Sequence, residues 1–125
     1  MTTPFTISGS LNLPGDASLP ADLIPLSASG SFSHQAEVVL KLTGAGTHSV
    51  GMGTLPAAGA KAVLIKVDAD AVAPVLVKIN GSATGKVQLA AGGLLLVSNP
   101  TPVLGITALD IEYTAAACVR VWVLG

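Results

Sequence analysis

The stretch Lys61–Ser82, KAVLIKVDADAVAPVLVKINGS, limits the possible folds of this chain more than any other. Val63, Ile65 and Val67 alternate with Leu64, Lys66 and Asp68, and Val75, Val77 and Ile79 alternate with Leu76, Lys78 and Asn80. β-Branched side chains are stiff at χ1, and a period of two sends successive residues to opposite faces of a strand. The stretch therefore reads as two strands separated by a short polar break, against which the rest of the chain has to pack.

The remaining segments follow the same period. Phe5–Leu13 alternates like a strand, Leu26–Phe32 does so weakly, and Gln35–Gly44 places Val38, Leu40 and Leu42 on one face. Thr47–Leu55 carries Gly51 and Gly53, as expected of a bulge or a close backbone approach. Asn80–Gly85 is a turn signal, KVQLAAGG and LLLVSNP form two strands broken at Gly92 and Gly93, and Ile106–Thr114 and Cys118–Gly125 complete the set. Eight to ten short strands with no sustained helical period predict an all-β, antiparallel β-sandwich of jelly-roll-like topology. Residues 1–25 hold four of the eight prolines and read as an extended N-terminal arm, or a first strand with a long connection, ahead of a sandwich domain over 26–125.

Composition narrows the function. Hydrophobic residues make up 50% of the 125 and charged residues 10%, against about a quarter in an ordinary globular domain. Mean hydropathy is +0.71, so part of the apolar surface is expected to face another subunit. The longest apolar run, Leu89–Val97, is far short of the roughly 20 residues of a membrane helix. The N-terminus lacks the basic start and apolar core of a secretory signal. Six scattered Lys and Arg against seven Asp and Glu argue against nucleic-acid binding.

Candidate chemistry is thin. Neither His34 nor His48 has a second His, Cys or carboxylate at a spacing that builds a metal site, and no cofactor is expected. Asp68 and Asp70 open like a calcium loop that AVAPV fails to continue, and read as turn carboxylates. The string around Ser29, Ser31 and Ser33 is not the elbow of a serine hydrolase. TGAGT and AAGG are turns without the lysine of a phosphate loop. Cys118, within AAACVRVWV, reads as a buried thiol of the core. No enzyme is expected.

Trp122 falls on the strand face opposite Val119, Val121 and Val123, so it either faces a partner or caps one end of the core. With the arm residues Phe5, Leu13, Leu19 and Ile24 it makes up the candidate interface. If the last two strands pair as a hairpin, Tyr113 opposes Val119, Glu112 opposes Arg120 and Asp110 opposes Trp122.

GSF at 30–32, LTGAGT, AAGAKAVLIKVD, the NGS turn, AAGGLLLVSNPTP, GITALDIEYTAA and the closing VRVWVLG together resemble a family of small structural proteins of tailed bacteriophages. The resemblance spans most of Gly30–Gly125 and consists of strand and turn phrasing. It implies a capsid decoration or cement protein that stabilises an assembled shell, active as a homodimer or homotrimer. Its partner would be the phage major capsid protein or another virion protein. It further implies residence in the virion after assembly in the host cytoplasm, and it carries no catalytic residue across. Two other readings remain, a tail or neck component and a small-ligand or glycan-binding sandwich. The latter would use the loops Asp68–Pro74 and Asn80–Gly85.

Overall fold

A computed structural model describes residues 2–15, 18, 22–82, 84–99, 101–103 and 105–125. Among them are ten strands and no helix: β1 (Thr3–Leu13), β2 (Asp22–Phe32), β3 (Gln35–Leu42), β4 (Gly46–Ser49), β5 (Ala62–Val67), β6 (Val75–Ile79), β7 (Lys86–Leu89), β8 (Leu94–Ser98), β9 (Leu109–Tyr113) and β10 (Ala117–Leu124). Every strand pair is antiparallel.

Two four-stranded sheets form a sandwich, one ordered β3-β10-β5-β8 and the other β4-β9-β6-β7. The alternation seen in the sequence determines what lies between them. Val63, Ile65 and Val67 of β5 and Val119, Val121 and Val123 of β10 face Val75 and Val77 of β6 and Leu109 and Ile111 of β9, and none is more than 2% exposed. Among the described residues no polar or charged residue belongs to the core, and Ser98 Oγ is the buried side-chain polar atom without a hydrogen-bond partner. Full burial of one such branched side chain contributes about 1.5–3 kcal/mol before conformational entropy is set against it.

The connections between strands mostly cross the core. From β3 to β10 the chain changes sheet at every step except β6 to β7, which is a hairpin within one sheet. The turn after β6 uses Asn80 and Gly81 at φ 53° and 71°, with Ser82 N donating to Ile79 O at 3.1 Å. Two adjacent residues with positive φ make the turn that opens the longer connection between the paired Lys78 and Lys86, and Asn-Gly supplies them at low cost.

The expected hairpin of the last two strands does not form, because β9 and β10 belong to opposite sheets. Alternation fixes the face a residue presents and not the strand beside it. Leu109 and Ile111 share the core with the β10 valines by lying across it, not alongside. Glu112 therefore does not oppose Arg120; it lies across from Leu76 and Thr47. Arg120 opposes Val39 on one side and Lys66 on the other, and Asp110 opposes Ser49 and Lys78.

β1 and β2 form a separate two-stranded sheet in full register from Thr3↔Phe32 to Leu13↔Asp22. The boundary expected at 25/26 falls inside β2. The root of this hairpin is tied to the end of β10: Ser33 N and His34 N both donate to Gly125 O, at 2.8 and 2.9 Å, and Gly125 N donates back to His34 O at 2.8 Å. Lys61 Nζ adds a bond to Ser31 O at 2.8 Å.

Candidate interaction surface

Directly opposed residues of an antiparallel pair share a face, so the register of β1 and β2 sorts the hairpin into two sides. One side carries Phe5, Ile7, Leu11 and Leu13 from β1 and Ile24, Leu26, Ala28 and Phe32 from β2. The other carries Pro4, Thr6, Ser8, Ser10 and Asn12 with Leu23, Pro25, Ser27, Ser29 and Ser31. The hairpin, about 35 Å for eleven residues at strand rise, is thus amphipathic along most of its length, and the pattern breaks at the tip, where Asp22 opposes Leu13 and Leu23 opposes Asn12.

Only the root of the apolar side is covered. Phe5 and Phe32 are half-buried against each other, with ring centroids 6.3 Å apart and planes tilted by 50°. Ile7 lines an apolar cavity of about 250 Å³ with Ala62, Leu64, Leu96, Trp122 and Leu124 on the outer face of the β3-β10-β5-β8 sheet. Beyond Ile7 the same side lies open, with Leu11 50%, Leu13 43%, Ile24 38% and Leu26 51% exposed.

The outer sheet face under the root is itself apolar. Trp122, Leu64 and Leu96 are consecutive in register across three strands. Leu94 at 58% and Leu96 at 40% exposure continue the patch on the edge strand β8, and Val39 is open on β3. Beside this patch a depression of about 360 Å³ is lined by Lys66, Asp68, Cys118, Arg120 and Trp122. Lys66 and Arg120 are directly opposed there, a like-charge arrangement that weakens strand pairing. Among the described residues neither reaches a carboxylate within ion-pair distance; both ion pairs, Lys78–Glu112 at 3.4 Å and Lys86–Glu112 at 2.8 Å, lie on the other sheet.

Cys118 belongs to this outer depression and is half-buried, which corrects its assignment to the core. Its apolar neighbours in sequence suggested an interior site, but its even position puts it on the side of Arg120 and Trp122, away from Val119.

The expected interface residues come together in part. Phe5, Leu13 and Ile24 share the apolar side of the hairpin, Trp122 is half-buried at its root, and Leu19 lies outside the described residues. Ile7, Leu11, Leu26, Leu94 and Leu96 belong to the same surface and were not singled out from the sequence. The odd-numbered spacing of Phe5, Ile7, Leu11 and Leu13 was the signal available for the hairpin.

The other candidates have structural surroundings. His34 packs against Gly53, where any side chain would collide with its ring, and its Nε2 lies 3.2 Å from Met52 O. The close approach inferred at that glycine is thus made by an imidazole and not by backbone. His48 is exposed on β4, and no group of three or more His, Cys, Asp or Glu side chains converges among the described residues. Asp68 Oδ1 accepts from Asp70 N at 3.4 Å, a turn contact.

Asn80 was read only as a turn residue, yet its side chain is a clamp. Oδ1 accepts from Thr107 N at 2.8 Å and Ala108 N at 3.1 Å, and Nδ2 donates to Gly105 O at 3.0 Å.

Comparison of the chain with protein-family models, with characterised proteins and with solved structures returns no match.

Proposed function

We propose that this chain is a non-enzymatic virion structural protein, a capsid decoration or cement protein that binds an assembled phage shell. The observation that carries the reading is the large uncovered apolar surface on the hairpin and the neighbouring sheet face. Such an area on a single small domain marks a contact with another protein. The strand order β3-β10-β5-β8 over β4-β9-β6-β7 supports reading the sandwich as a jelly roll, and the protruding hairpin supports reading the N-terminal region as an arm. The virion setting rests on the resemblance of the strand and turn phrasing over Gly30–Gly125 to small tailed-phage proteins. On a lattice, many weak copies of one contact give strong attachment, so each need not be tight.

The partners under this reading are further copies of the chain, as a homodimer or homotrimer, and the major capsid protein or another virion protein. The experiment is re-decoration. Shells assembled without the chain are mixed with purified protein and sedimented. Saturable co-sedimentation at a fixed ratio to the shell subunit is expected, with shells that withstand higher temperature. Failure to co-sediment at any concentration contradicts the reading, and binding to isolated tails instead would assign the chain to the tail or neck.

A further inference from the structure

We propose that the open apolar side of the β1–β2 hairpin docks on a second copy of this chain, landing on the outer face of the β3-β10-β5-β8 sheet around Leu94 and Leu96. This deepens the assembly reading and rests on it only in taking the chain to work as more than one copy.

A two-stranded hairpin is marginal in water by itself and needs an apolar face packed on something else. Here Ile7 meets the body across a shared apolar cavity, Phe5 and Phe32 are half-buried with their rings against each other, and Leu11, Leu13, Ile24 and Leu26 on the same side lie open. The molecule shows how the missing contact is made, since Ile7 already faces Leu64, Leu96 and Trp122 across a shared apolar cavity of about 250 Å³. Leu94 and Leu96 extend that patch to the edge strand and stay open, so each copy carries both an apolar projection and an apolar seat.

Size and charge favour the same occupant. At about half exposure, these six leucine and isoleucine side chains present on the order of 500 Å² of apolar surface per copy. Two copies together reach about 1,000 Å², where specific interfaces begin. The 22 residues of β1 and β2 include one charged residue, Asp22, at the far end. A hairpin with a single charge, opposite Leu13 at its far end, has little electrostatic guard against pairing, and a chain of net charge −1 offers little repulsion to a copy of itself. Projection and seat are different patches, so reciprocal exchange closes a dimer in which both are covered, whereas head-to-tail exchange covers one of each per contact and closes a ring only where the rotation returns to its start.

The test uses the full chain. Light scattering of the wild type at tens of micromolar should give a multiple of 12.3 kDa. The double variant Leu11→Asp/Leu26→Asp and the single variant Leu94→Asp, which alter the two sides of the contact separately, should each weaken association about 100-fold or more. All three positions are exposed, so circular dichroism should stay native. Cross-linking identifies the partner surface. In a Cys118→Ser background, Leu26→Cys protein mixed with Leu94→Cys protein should be joined by a bismaleimide into a mixed dimer. Leu26→Cys mixed with Val72→Cys, exposed in a loop, should not. A wild type that stays monomeric, variants that keep the wild-type mass, or equal cross-linking to Val72→Cys overturns the proposal. A monomer that still decorates shells would overturn this inference alone, and an oligomer that ignores shells would overturn the decoration reading alone.

Discussion

Asn80 joins two requirements in one residue. Its φ of 53° is costly for most side chains, and its amide bonds three backbone groups of the segment leading into β9. Asn80→Ala should cost about 2–3 kcal/mol in urea unfolding, because it loses both the clamp and the ease of positive φ. Asn80→Gly should cost about 1–2 kcal/mol, since only the bonds are lost. Equal costs would show that the positive-φ contribution is absent. Glu112 is the other residue with a measurable signature. Hydrogen bonding to Lys86 in the first place, helped by the charges of Lys86 and Lys78, holds its carboxyl below the usual glutamate range. Lys78 and Lys86 are directly opposed in register, so the carboxylate offsets a like-charge pair. Since the folded pKa is depressed, the associated stability is present above the unfolded value of about 4.3 and is lost as pH falls through the lower folded value. Unfolding profiles between about pH 5 and 2 should therefore be flatter for Glu112→Gln than for the wild type, and the difference should shrink in high salt. Parallel profiles would contradict the assignment.

At the scale of the strand, parity decides nearly everything. Val121 and Cys118 lie on the same strand three residues apart, on opposite faces. Val121→Ala should destabilise by about 1.5–3 kcal/mol through loss of a fully buried side chain, whereas Cys118→Ala should cost less than about 1 kcal/mol. Comparable losses at the two positions would contradict the placement of Cys118. Parity was legible in the sequence wherever β-branched residues repeat, as in Val63, Ile65 and Val67 or Val119, Val121 and Val123, so the inner faces of β5, β6 and β10 could be read directly. Partnership was not legible. Leu109 and Ile111 satisfy the same core from across the sandwich as they would from alongside β10, and only the three-dimensional path of Thr114–Ala116 tells the two apart. Leu26–Phe32 looks weak as a strand because serine fills every second place and Ala28 and Gly30 lie between. Opposite β1 those same residues supply the polar side and the small positions of an amphipathic hairpin.

On the scale of the whole molecule, a core closed between two sheets is joined to a hairpin whose apolar side is closed only at its root. The bonds from Ser33 and His34 to Gly125 anchor that root to the body, so the eight body strands do not depend on the distal hairpin for their pairing. The candidate surface was legible only in outline. A mean hydropathy of +0.71 with 10% charged residues indicated that apolar area faces a partner, but its position follows from the β1–β2 register and from the outer-face row Trp122–Leu64–Leu96. The most direct test is amide hydrogen exchange of the intact chain as a function of its concentration, read strand by strand. The account predicts that β5, β6 and β10 remain protected throughout, while β1 and β2 exchange rapidly in dilute monomer and become protected over the concentration range in which the molar mass rises. Protection of β1 and β2 that is independent of concentration, or absent from the assembled form, would contradict it.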